Sequence, residues 1–369
     1  MKKIKDLVLA LLAVAMLSSC MSDGNSYAGF FGVNANGGRP VYANTAYAFL
    51  TFGSYGAWHI DQESGADWCK LDLMQGNGGA FYSIPARFTL NTTGESRVAR
   101  FVVRDNSNGD DAYGTFYFSQ YATRGDGSLG NASLVTGISG DDGSAITIEY
   151  DTLCRPTLLV MEKNGEQLRR LTIGYHISDS TVSVSDGSST LTGVYDLGYQ
   201  TDRLQSDRDT VGYYEQSIFA GDADAFNVEE HKWGGEYTVQ ALLYTNGSLR
   251  DGNPDGEYVA DSLRYQRGNA EGIVYREMLK LSYSDNSNRC QSVDVNQLLL
   301  GIEECNPYQL VAMFRDARNS KIISEASAAD GKFVVETTLN SDKSVSTMTV
   351  TNKQGTKVKY TFTYSSTLP

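Results

Sequence analysis

The chain has 369 residues, with 44 acidic side chains against 31 basic ones and a formal charge of −13 at pH 7. That acidic balance argues against nucleic acid and against electrostatic attachment to anionic lipid surfaces. His59, His176 and His231 are far apart and none stands beside a cysteine, so the sequence offers no zinc site.

Residues 1–19 read as an export signal. Lys2, Lys3 and Lys5 precede the apolar run Leu7–Leu17, which at 11 residues is too short to span a bilayer. Leu17-Ser18-Ser19-Cys20 resembles the lipobox cut by the lipoprotein signal peptidase, which implies lipidation at Cys20 and attachment to the membrane through that N-terminal lipid. Loss of Lys2, Lys3, Lys5 and Asp6 with the signal deepens the formal charge to −15. Met21 stands where an inner-membrane retention aspartate would be, and Ser22-Asp23 echoes the acidic export signal of Bacteroidetes surface lipoproteins. An outer-membrane address facing the cell exterior is therefore expected. Four cysteines remain, and the pairings stay open; Cys290 and Cys305, flanking one helical segment, are the expected pair.

Residues 20–43, rich in Gly, Asn, Ser and Ala, read as a tether. From Ala46 the pattern turns to short alternating runs separated by breakers, as in Ala99–Val103 and Thr115–Ser119, which is antiparallel β structure. Trp58, Asp67-Trp68-Cys69, Ile84, Asn91-Thr92-Thr93, Arg97, Ala99–Val103 and Gln120 carry a resemblance to the BACON domain, a small β-sandwich of Bacteroidetes surface proteins. The resemblance implies a sandwich over 44–123, with Trp58 and Trp68 in its core. The family's name implies carbohydrate binding, but no residue set for sugar contact transfers.

Residues 124–145 read as a Gly/Asp/Ser linker. Gly125-Asp126-Gly127-Ser128-Leu129-Gly130 spells a dinucleotide fingerprint but lacks the following helix that gives it force. From Ser144 a meander is expected: Ile146–Asp151, Thr157–Glu162, an Asn164-Gly165 turn, Leu168–Tyr175, Thr181–Ser185 and Thr190–Tyr195. Lys332–Leu339, Ser346–Asn352 and Lys357–Tyr364 follow near the C-terminus. Asp294 can cap a helix Val295–Leu300, and Pro307 suits the first turn of one running to Arg318. Tyr150, Asp151, Arg155, Tyr283-Ser284-Asp285, Asn288 and Val293-Asp294-Val295 make 146–369 similar to an uncharacterised Bacteroidetes lipoprotein domain with a porin-like antiparallel meander. Cys154 stands where that turn normally has glycine. The whole reads as mainly β: a small sandwich, then a larger up-and-down meander, open or barrel-like, with one or two short helices.

No nucleophile elbow, phosphate loop or zinc helix is present, and Glu229-Glu230-His231 reads as a solvated loop. Asp251, Asn253 and Asp255 sit at the alternate positions of a calcium loop, with Gly256 for its tight turn and Asp261 one place short of the final ligand; the segment admits calcium, and no other cofactor is implied. Of 23 tyrosines and 3 tryptophans, most belong to sheet faces; Trp233, with Tyr213, Tyr214 and Tyr237, is the expected exposed platform. The expected function is non-catalytic: cell-surface binding or presentation of a complex glycan. The alternative is a structural spacer or subunit of a surface assembly with protein partners, and a glycoside hydrolase comes third.

Overall fold

The computed structural model describes residues 30–33, 39–105, 112–176, 181–185, 187, 190–194, 203–206, 213–215, 227–229, 239–248, 255–257, 259–269, 272–302, 313–314 and 318–368. They form two units. The first comprises 1–41, 45–90 and 96–120; the second comprises 42–44, 91–95 and 121–369.

The first unit holds nine strands: β1 (Phe30–Val33), β2 (Arg39–Val41), β3 (Tyr47–Ser54), β4 (Trp58–Gln62), β5 (Cys69–Leu71), β6 (Gln75–Gly76), β7 (Ala80–Phe88), β8 (Arg97–Asp105) and β9 (Ala112–Gln120). They make two sheets, ordered β1-β3-β7-β5 and β2-β9-β8-β4-β6. Alternation decides which side chains are enclosed: Ala48, Leu50 and Phe52 of β3 and Ile84, Ala86 and Phe88 of β7 are buried with Ala99, Phe101 and Val103 of β8. Trp58 is wholly buried and Trp68 nearly so, as expected of core residues. The tether reading is corrected for 30–33 and 39–43. β1 pairs with β3 and β2 pairs with β9 in parallel, and Val41 of β2 is wholly buried.

The second unit holds β10 (Val135–Gly140), β11 (Ser144–Tyr150), β12 (Pro156–Lys163), β13 (Glu166–His176), β14 (Thr181–Ser185), β15 (Thr190–Val194), β16 (Arg203–Ser206), β17 (Tyr213–Glu215), β18 (Asn227–Glu229), β19 (Val239–Ser248), β20 (Val259–Asn269), β21 (Gly272–Ser287), β22 (Lys321–Ala328), β23 (Gly331–Leu339), β24 (Val345–Thr351) and β25 (Lys357–Tyr364). Fourteen of them form one sheet: β10 to β16 run outward in sequence on one side, β25 back to β19 on the other, and β10 pairs antiparallel with β25 at the seam. The sheet is open among the described residues, with β16 and β19 at its ends; β17 and β18 pair separately. A 3₁₀ helix, Val295–Leu300, lies in the core, its N-terminus capped by Asp294, whose carboxylate accepts from Asn296 N. The second expected helix, from Pro307, lies mostly outside the described residues.

Side chains point apolar inward and polar outward. On β25, Tyr360 and Phe362 are buried while Lys357, Lys359, Thr361 and Thr363 are exposed; on β24, Met348 and Val350 are buried between the less buried Thr347, Thr349 and Thr351. A membrane-spanning barrel carries its apolar band outside, so in these strands the outer face is suited to water. Among the described residues no helix is long and apolar enough to cross a membrane.

The linker reading of 124–145 is also corrected. Thr123, Arg124, Asp126 and Ser128 are wholly buried, and β10 begins at Val135. Asp126 Oδ1 accepts from the amide and hydroxyl of Ser128, and Arg124 donates to Ser128 Oγ and to Ala132 O. Few apolar residues are needed when the buried groups are polar and hydrogen-bonded to each other.

Candidate functional site

Of the exposed apolar side chains of the first unit, Phe49 and Phe81 lie on the β3–β7 pair, while Tyr55, Leu73 and Val98 lie elsewhere. Eight residues of β3 pair with eight of β7 with no irregularity in register, from Tyr47↔Arg87 to Ser54↔Ala80. Because successive side chains alternate, the outer face reads in rows: Tyr47 with Arg87, Phe49 with Pro85, Thr51 with Ser83, and Gly53 with Phe81. Phe49 is 40% exposed and Phe81 58%, and Tyr47 meets Phe49 edge-on with ring centroids 5.7 Å apart.

The face is held flat from behind. Phe52 and Tyr82 stack at 5.5 Å, and the buried Trp58 indole meets each edge-on, at 4.8 and 4.7 Å. Lys70 of β5, exposed, stands directly opposite Arg87 on this face, and Arg87 itself is paired. Arg87 Nε and Nη2 each donate to one oxygen of Asp72 at 2.7 Å, and this bond holds the Asp72 carboxyl below the usual carboxylate range. Rings and hydroxyls on one sheet face make a surface suited to a partly apolar ligand.

The second unit encloses a polar core instead. Arg318, nearly wholly buried, donates from Nη1 to the carbonyls of Asn288, Gln291 and Val293 at 3.1, 2.7 and 3.2 Å, and from Nη2 to that of Ser292 at 3.0 Å. Asn288 Nδ2 reaches Asp294 Oδ1 at 2.6 Å, and Gln297 Nε2 reaches Asp294 Oδ2 at 3.3 Å. Tyr150 donates to Val135 O and lies 2.7 Å from Ser292 Oγ; burial raises its phenol pKa. Arg155 pairs with Asp151 and lies over the Tyr175 ring, 4.2 Å from its centroid. These contacts brace turns and the 3₁₀ helix. Among the described residues no group of three or more His, Cys, Asp or Glu could hold a metal.

The sequence-expected site residues are scattered. Cys20, Trp233, Tyr237, Asp251 and Asn253 lie outside the described residues. Tyr213 and Tyr214 sit on β17, opposite Glu229 and Val228 of β18. Of the calcium candidates within the described residues, Asp255 accepts from the Ala122 amide with one carboxylate oxygen and from the Thr123 amide and hydroxyl with the other, all at 2.9 Å. Asp261 is exposed on β20. Asp255 thus fastens the 122–123 backbone. The Arg124-Gly125-Asp126 tripeptide presents nothing to solvent from its two charged side chains, both wholly buried. Among the described residues Cys69, Cys154 and Cys290 carry free thiols, and Cys305, the expected partner of Cys290, lies outside them; Cys69 and Cys154 are each enclosed in a different unit.

Trp58 and Trp68, both in the core, do not mark this aromatic face. Its signal was present: Tyr47-Ala48-Phe49-Leu50-Thr51-Phe52 is apolar at both parities, so one set of rings has to leave the core.

Fold and site together define an all-β protein of two units, one presenting an aromatic sheet face and the other an open meander around an apolar core with an internal polar network. No family model and no curated protein matches the chain. Among solved structures it is similar to a porin-like protein from Bacteroides uniformis ATCC 8492, with 13% identity and a TM-score of 0.39 over 63% of this chain and 99% of that one. It is also similar to a Bacteroides ovatus GH5 xyloglucanase in complex with a XXXG heptasaccharide, with 19% identity and a TM-score of 0.20 over 27% of this chain and 21% of that one.

Proposed function

We propose that this chain is a non-catalytic lipoprotein, anchored through Cys20 in the outer membrane and facing outward, that holds a complex glycan on the β3–β7 face. The exposed rings of Phe49 and Phe81 beside the Thr51 and Ser83 hydroxyls carry the proposal. Exposed apolar patches of this kind mark binding surfaces, and sugars present both apolar ring faces and hydroxyls. The acidic chain favours a neutral ligand over an anionic one.

The test is a glycan-array screen followed by titration of the best ligand against Phe49→Ala. Truncation of an aromatic anchor should weaken binding by about 1–3 kcal/mol, with little salt dependence and an unchanged melting temperature. A screen without ligands, or binding indifferent to Phe49→Ala, Phe81→Ala and Trp233→Ala alike, would discard the proposal. For the anchor, Cys20→Ala should leave unprocessed precursor.

The alternative, a subunit of a surface assembly, draws on the open ends of the large sheet at β16 and β19. End strands are templates for strand addition by a partner chain.

A further inference from the structure

The end of the first unit where β1 enters is built differently from the rest. β1 runs antiparallel to β3, with Phe30 opposite Ser54 and Val33 opposite Phe52, so Phe30 is held at the Ser54 end. Two turns meet there. Gly79 N donates to Ser54 O at 2.7 Å, and Ser54 Oγ donates to Gly56 O at 2.7 Å. A Cβ on Gly78 would lie 1.9 Å from Tyr55 O, so glycine is what lets the two backbones approach so closely. On this fixed turn the Tyr55 ring is 61% exposed. Ala57, Asn77, Gly79, Ala80 and Phe81 are the other exposed residues of 54–58 and 77–81. None carries a charge. In a chain with 44 acidic and 31 basic side chains, segments 24–38, 40–58 and 73–86 contain no Asp, Glu, Lys or Arg. Asp105, opposite Trp58, belongs to the other sheet.

We infer that this end of the first unit rests on the lipid surface, with the Tyr55 ring among the headgroups, a step that rests on the lipid anchor at Cys20 proposed above. Cys20 stands ten residues before Phe30, a reach of at most about 35 Å, and Phe30 is paired at the Ser54 end. The anchor therefore leads to this end of the sheet first. Tyrosine suits the headgroup layer because its ring is apolar and its hydroxyl can meet water. Carboxylates that face anionic lipid are repelled, so an acidic chain approaches a bilayer closely only through a region kept free of them. The turns at 54–58 and 77–81 are such a region. The contact is interfacial rather than electrostatic. Seated this way, the β3–β7 face leads outward: Phe49 and Ser54 are five residues apart on β3, about 17 Å. Tyr47, Arg87 and Lys70 form the row beyond Phe49, so the cations stand on the side turned away from the bilayer.

The experiment uses the purified lipidated protein in phosphatidylcholine vesicles, with and without bromine on the acyl carbons nearest the headgroup. Tyr55→Trp adds an indole at the seated end, and Phe49→Trp adds one at the outward end. Both positions are exposed, so neither variant should alter the thermal melt. Brominated lipid should quench about half of the emission that Tyr55→Trp adds over the unsubstituted protein. The emission that Phe49→Trp adds should be unchanged. Mass spectrometry of the same samples reads the acyl chains on Cys20. With those chains present, an unquenched Tyr55→Trp, or equal quenching of both variants, would overturn the seating and leave the anchor and glycan binding standing. Native protein without acyl chains on Cys20 would overturn the anchor, and this inference with it.

Discussion

Replacing Arg318 with Met should cost the second unit about 3–5 kcal/mol. Met fills a similar length of cavity with an unbranched chain but donates nothing to the carbonyls of Asn288, Gln291, Ser292 and Val293 that the guanidinium now serves. Nη1 has two hydrogens for three of those acceptors, so the loss amounts to roughly three full bonds at about 1 kcal/mol each, and to more where an acceptor stays dry and unmet. Removing a buried cation recovers part of its desolvation cost, which keeps the figure below a sum over four orphaned carbonyls. Arg318→Lys, which keeps the charge but loses the fork, should cost about half as much. Trp58 and Trp68 belong to the first unit, so tryptophan fluorescence would follow largely the wrong transition, and two units need not unfold together. Amide hydrogen exchange across Ser292–Leu300 is the suitable assay. Protection within about 1 kcal/mol of the unsubstituted chain in Arg318→Met would refute this account of the polar core.

Asp255→Ala should destabilise the second unit by about 2–3 kcal/mol by releasing the Ala122 and Thr123 amides. Limited proteolysis with mass spectrometry should then find new cleavage between Ala122 and Gly130, and an unchanged digest would contradict the assignment. Burial pushes the Cys69 thiol from 9.0 up to about 12, so iodoacetamide should modify it after unfolding but not before. A raised folded pKa makes its stabilising contribution complete below about pH 9 and lost as pH rises toward 12; Cys69→Ala should flatten the unfolding midpoint over that range. In Gly130→Ala the new Cβ would lie 2.0 Å from Asn91 O, so the backbone has to move at a cost of about 1–3 kcal/mol. At Gly165 nothing lies within 4 Å, and only the strain of its positive φ would be felt; equal melting temperatures for the two alanine variants would show that the close approach has been misjudged.

Most strands were legible because their burial alternates. Lys357–Tyr364 came out to the residue, and Asn164-Gly165 turns through φ of 52° and 82°. Cys154 occupies its turn at φ 60°, so the chain keeps there a left-handed backbone that usually falls to glycine. Segment 122–134 was illegible for a different reason. Composition reports how many apolar atoms could be buried, and this segment buries Arg124, Asp126 and Ser128 against one another through bonds between residues 2 to 8 apart. The aromatic face failed on the choice of ring: three tryptophans drew attention, two of them core, while Phe49 and Phe81 passed as ordinary strand residues.

The pairing of β10 with β25 has a kinetic side. Thr136 Oγ1 donates to Thr363 O across 227 residues of chain, a sequence separation that makes contact formation slow. Until β25 has emerged, β10 stands as a bare edge in the middle of what will become the sheet, open to any strand that passes. The second unit can assemble its two flanks early, but it can join them only once its last strand has been delivered. The second unit therefore has a single committing step in folding, and a chain lacking β25 would hold two flanks with nothing to seal them.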